Sequence, residues 1–164
     1  MARDFYAASG FDPAMILGQI AAVQSLLYLS VGAALLLLHA LAGKPATAIG
    51  LEQLFSARAL RLSQPGGAVA FAAWLVSAVA GGCILCLVVE RAKKCLDFAL
   101  TAQLLHLFGC YAYEGFPDSW EWWVNAVVSV VVMALLGEYL CMRREMREIP
   151  LLSRPRDPRL SDAL

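Results

Sequence analysis

Two carboxylates, a histidine–cysteine pair and a Cys-x-x-Cys are the residues in this chain that could do chemistry, and all of them sit within apolar sequence. Asp97 follows the basic run Arg91-Ala92-Lys93-Lys94 by three residues, and Glu138 precedes Arg143-Arg144 by five. A carboxylate taken from water into hydrocarbon costs several kcal/mol unless it is paired. The pattern therefore predicts one polar layer containing Asp97, Glu138, Arg91, Lys94 and Arg143, with Lys93 and Arg144 as further cations. Such a layer could pin helix ends through ion pairs and snorkelling side chains. It could equally form the rim of a cleft that receives a partner, and the two roles are compatible.

Gln103, His106, Cys110 and Tyr113 fall at i, i+3, i+7 and i+10, one stripe of a helix opposite Asp97 and Thr101. Interhelical hydrogen bonding is the expected role of Gln103, His106 and Cys110. Zinc needs three or four ligands; there is no second His–Cys pair and His39 stands alone, so no metal is expected. Cys83-Ile84-Leu85-Cys86 has the spacing of a redox pair but lacks the basic neighbours that activate a thiol. Cys95 and Cys141, near charged sequence at a membrane edge, are candidates for reversible palmitoylation. An odd total of five cysteines does not make a complete disulfide framework.

Enzyme chemistry finds no footing. The sequence contains no Gly-x-Ser-x-Gly, no Gly-rich phosphate loop and no usefully spaced Ser–His pair, so no catalytic residue and no cofactor is expected. A small proton-coupled transporter using Glu138 is the alternative function. It would want its acid near the membrane midplane, whereas Glu138 lies toward one edge.

The elements that must position these residues are four long apolar stretches. No Asp, Glu, Lys or Arg occurs between Asp12 and Lys44 or between Arg61 and Glu90, and two more stretches carry only edge acids. About 20 apolar residues at about 1.5 Å rise each cross a hydrocarbon layer about 30 Å thick. The predicted fold is all-α: a polytopic four-transmembrane-helix bundle with spans about 14–42, 65–89, 95–113 and 120–142. Composition agrees, with 60% hydrophobic and 16% charged residues against about 45–50% and about 25% in soluble domains. The expected organisation is a leader, 1–13, a membrane domain, 14–152, and a disordered Pro/Arg-rich tail, 153–164. The first span should act as an uncleaved insertion signal. In the first connection, Leu51, Leu54, Phe55, Ala59 and Leu62 share a helical face, which predicts a short helix lying on the interface. Phe116, Trp120, Trp122 and Trp123 read as an interfacial aromatic belt.

Charge sets the orientation. One side holds Arg3, Arg91, Lys93, Lys94, Arg143, Arg144, Arg147, Arg154, Arg156 and Arg159; the other holds Lys44, Arg58 and Arg61. Positive charge stays inside, so both termini are expected in the cytosol. The lipid bilayer is the expected medium, nucleic acid is not an expected partner, and a homodimer is left open.

Several motifs occur together and in order. Lys94-Cys95-Leu96-Asp97-Phe98 is followed by His106-Leu107-Phe108-Gly109-Cys110, Phe116-Pro117 and Trp122-Trp123. Then come Gly137-Glu138-Tyr139-Leu140-Cys141-Met142-Arg143 and Glu148-Ile149-Pro150-Leu151. This series resembles the SYS family of Golgi-trafficking membrane proteins over roughly Asp12–Leu151. The first half adds Asp12-Pro13, Gln19, Leu51, Gln53, Phe55 and Pro65-Gly66. The resemblance implies a Golgi membrane receptor, not an enzyme. It further implies recruitment of an ARF-related or ARF-like small GTPase with an acetylated amphipathic N-terminus, and a part in traffic among endosomes, the trans-Golgi network and the plasma membrane.

Overall fold

The computed structural model describes residues 13–43, 45 and 49–148. Four long helices dominate it: α1 (Pro13–Leu41), α3 (Gly67–Val88), α4 (Cys95–Tyr113) and α5 (Trp120–Glu148). Each is long and apolar enough to cross a membrane. The short α2 (Glu52–Phe55) and two 3-10 turns, Ala57–Leu60 and Ala92–Lys94, lie between them, and no strand occurs among the described residues. Helices win in this setting because a helix satisfies its own backbone hydrogen bonds where no water can. α5 runs beyond residue 142 because Met142–Glu148 consists of good helix formers. Residues 1–12 of the leader 1–13 and the tail 153–164 lie outside the described residues, and the last leader position, Pro13, opens α1.

The long helices alternate in direction. The start of α1, the Glu90–Lys94 turn and the end of α5 therefore share one end, here called the basic end. The α2 region and the Glu114–Ser119 turn share the other, the tryptophan end. α3 sits centrally, packed most extensively on α5 and α1; α4 leans on α5 and touches α1 only lightly. Val23, Leu27, Leu85, Phe98, Met133 and Cys141 belong to one buried cluster. Val31, Leu35, Leu60, Trp74, Cys110 and Trp122 belong to a second, nearer the tryptophan end.

Close approach, not transfer out of water, drives helix association in lipid. Gly81 and Gly82 of α3 show how it is reached. A Cβ on Gly81 would lie 2.9 Å from Leu27 Cδ2 and Met133 Cγ, and one on Gly82 would lie 2.8 Å from Leu136 Cβ. The missing side chains admit α1 and α5 to within van der Waals contact. The turn into α3 needs glycine twice: Gly66 has φ 99°, and a Cβ on Gly67 would lie 1.9 Å from the Arg61 carbonyl oxygen.

The first connection departs from expectation. No single helix spans Leu51–Leu62: α2 stops at Phe55 and a 3-10 turn follows. The segment breaks at Ser56, whose hydroxyl accepts from Arg58 N–H at 3.2 Å, and folds into the bundle's end as a plug. Ala57 and Leu60 are buried, while Leu51 and Leu62, assigned to the apolar face, are exposed. The gap above Trp74 and Trp122 gives Leu60 a site that one straight helix on the interface could not reach.

Candidate functional site

At the basic end, α1 and α4 leave a groove of about 220 Å³ between them, lined by Ile16, Ile20, Lys94, Asp97, Phe98 and Thr101. Ile16 and Ile20 stand one helical turn apart on α1, and Asp97 and Thr101 one turn apart on α4, so two facing helix surfaces form its walls. The floor is apolar through Ile16, Ile20 and the largely buried Phe98. The rim is polar: Lys94 and Asp97 are exposed, and the Thr101 hydroxyl donates to the Asp97 carbonyl oxygen at 2.7 Å. Nearby, Gln19 Nε2 donates to the Val88 carbonyl oxygen at 3.1 Å, meeting an acceptor that the end of α3 leaves over.

The structure does not assemble Asp97, Glu138, Arg91, Lys94 and Arg143 into one ion-paired layer. Asp97 and Lys94 share the groove; half-buried Glu138, on α5, does not line it. Neither carboxylate forms an ion pair among the described residues. At this end Arg144 pairs with Glu90 at 3.1 Å, and Glu145 accepts from Ala92 N–H at 3.3 Å. Arg143 stacks on Tyr139, 5.3 Å from its centroid. Sequence reasoning did not place Ile16, Ile20, Phe98 and Thr101 in the site; Thr101, one turn from Asp97 on α4, was an available signal, whereas nothing in the sequence tied Ile16 and Ile20 of α1 to Asp97.

The second polar stripe divides. His106 is buried, with its Nδ1 3.5 Å from the Tyr28 hydroxyl of α1 and its Nε2 3.5 Å from Cys110 Sγ on its own helix. Rings surround it: Trp74 at 4.4 Å, Tyr28 and Phe55 at 6.0 Å, and Trp122 stacked at 6.1 Å. Gln103 joins Gln24, Tyr28, Ser77 and Ser129 around a cavity of about 20 Å³, while Tyr113 is exposed. Trp120 and Trp123 face outward, but Trp122 is 3% exposed and points into the core. It is a packing partner of His106, not a member of an interfacial belt. Cys95 and Cys141 are likewise buried, not turned outward toward lipid, and all five cysteines are free thiols.

Among the described residues, two ion pairs lie at the tryptophan end. Glu114 bonds Arg58 at 2.8 Å and accepts from the Ser56 hydroxyl. Arg61 grips both oxygens of Asp118 at 3.0 and 3.1 Å. The buried Ser119 hydroxyl donates to the Ala57 carbonyl oxygen at 3.1 Å. These contacts tie the plug to the α4–α5 turn.

Residues 6–151 match the family model described as SYS1, integral membrane protein S linking to the trans Golgi network. The chain is 36% identical over 147 residues to the protein SYS1 homolog of Dictyostelium discoideum, a match covering 90% of this chain and 62% of the relative. It is also 36% identical over 147 residues to the protein SYS1 homolog of Nematostella vectensis, covering 87% of this chain and 92% of the relative. No solved structure matches significantly. With four bilayer-length helices and a family match over nearly its whole length, the chain belongs to the SYS1 family of trans-Golgi-network membrane proteins, and it is an integral, multi-pass protein of the Golgi.

Proposed function

We propose that the chain is a Golgi receptor that recruits an ARF-related or ARF-like small GTPase, N-terminally acetylated, and thereby supports vesicle traffic among endosomes, the trans-Golgi network and the plasma membrane. In this reading the basic end faces the cytosol. The groove between α1 and α4 carries the proposal. An acetyl group lacks the methylenes that an acyl chain contributes at about 0.8 kcal/mol each, so an acetylated amphipathic helix needs a protein partner to stay on one membrane. An apolar groove with a few polar rim groups is a fitting receptacle for such a helix. Asp97 and Lys94 would orient its polar groups, with Arg91, Arg143 and Glu138 as the wider charged surround.

The test measures GTPase capture from cytosol by proteoliposomes carrying the full chain. Ile20→Trp should fill the groove and, like Asp97→Ala, reduce capture at least tenfold, while deletion of Pro155–Leu164 should leave capture intact. Loss on deletion alone, with both substituted proteins still binding, would move recognition to the tail and refute the groove. The same vesicles, given a proton gradient, would reveal transport dependent on Glu138 if the chain were a carrier.

A further inference from the structure

Two thiols meet at the basic end. Cys95 opens α4 and Cys141 lies on α5, and their sulfurs are 3.7 Å apart. Both are buried, at 0% and 1% exposure. Gly137, one turn before Cys141, lies against the pair: a Cβ there would touch Cys95 Sγ at 3.4 Å. The Cys95 thiol sits near the Arg91 carbonyl oxygen, at 3.5 Å. The other cysteines differ in setting. Cys83 is exposed, Cys86 is half-buried in the same cluster and lies near Cys141 as a third thiol, and Cys110 pairs with His106 toward the opposite end.

We propose that Cys95 and Cys141 are a built-in oxidation site, a dithiol that a hydroperoxide converts to a disulfide joining α4 to α5. Burial slows attack on the folded form, and the way in is fraying. Cys95 is the first residue of its helix and follows the exposed cations Arg91, Lys93 and Lys94, so opening one turn brings its sulfur to water. The thiolate attacks the peroxide, cleaving the O–O bond; sulfur becomes a sulfenic acid and the alcohol leaves with the thiol's proton. When the turn closes, Cys141 attacks the sulfenic sulfur, the S–S bond forms and water departs. Two thiols lose two electrons, and one hydroperoxide takes them up to leave one alcohol and one water. The product fastens the turn that bears Asp97 and Phe98 to α5.

The test treats the full chain in membranes with tert-butyl hydroperoxide and maps disulfides by mass spectrometry of chymotryptic peptides. The expected product joins Cys95 to Cys141, is lost in Cys95→Ser and in Cys141→Ser, is retained in Cys83→Ala and Cys86→Ala, and is reversed by dithiothreitol. The oxidised protein should also unfold at a higher temperature than the reduced one, a shift absent from either serine variant. Because both serine variants could be misfolded, each is compared with reduced wild type by thermal unfolding, and the Cys86→Ala variant supplies an independent reading of the pair. A dominant Cys86–Cys141 link would overturn the proposal. So would oxidation of Cys83 with Cys95 and Cys141 left as thiols, since that shows the oxidant arrived and the pair did not react.

Discussion

Among single residues, Glu114 and Asp118 look alike in sequence and differ in what they hold. Asp118 meets Arg61 on the surface, with 69% of its side chain exposed. Such pairs contribute about 0–1 kcal/mol, so Asp118→Ala should barely move the unfolding midpoint in micelles. Glu114 is 26% exposed and takes both Arg58 and the buried Ser56 hydroxyl. Glu114→Ala strands that hydroxyl and should cost about 1–3 kcal/mol. A double-mutant cycle with Ser56→Ala should show coupling; additive losses would mean that the bond is not made. His106 is the larger case. His106→Ala empties a ring-lined site and should cost about 2–5 kcal/mol, whereas His106→Phe keeps the ring and should cost under about 1.5 kcal/mol. Equal losses would show that polarity, not packing, is what this residue supplies. The histidine's stripe was legible from its spacing. The rings around it were not, since Phe55, Trp74 and Trp122 come from three separate elements.

Between elements, glycine decides how closely helices approach, and two glycines make a test of opposite sign. Gly82→Ala places a methyl 2.8 Å from Leu136 Cβ. α3 and α5 must then part, and overpacking of this kind costs about 1–3 kcal/mol. Gly18→Ala meets nothing within 4 Å and should instead stabilise α1 by about 0.5–1 kcal/mol through the better helix former. Thermal unfolding of the two variants in one detergent reads both signs. Loss at Gly18 would imply that its open face is covered in the solubilised protein, as a homodimer would cover it. The α3 entry turn is stricter, because at Gly67 the nearest atom is backbone and cannot swing aside.

For the whole molecule, the division of charge predicts the topology. Ten basic residues fall on the side of the termini and three on the other, which should hold both termini in the cytosol. In sealed Golgi vesicles, added protease should remove a C-terminal epitope tag and spare one inserted at Ser63, in the turn before α3. Protection of the C-terminal tag would reverse the orientation and place the α1–α4 groove out of reach of any cytosolic partner.

The sequence by itself determined that four helices cross a membrane. Apolar runs of bilayer length leave the backbone no other way to satisfy its hydrogen bonds, and the ordered motifs from Lys94 to Leu151 pointed to the family. Beyond the polar stripe of α4, only the tertiary structure decided which face of each helix turns inward. In lipid the outer and inner faces are otherwise both apolar, so hydropathy carries no inward signal there; volume does, through Gly81 and Gly82. That choice turned Trp122 into the core, brought Cys95 against Cys141, and set Asp97 on a groove while leaving Glu138 off it. It also folded Leu60 into the bundle's end. Burial beside Trp74 and Trp122 was available there, and no reading of one segment's periodicity could reveal a gap built by three others.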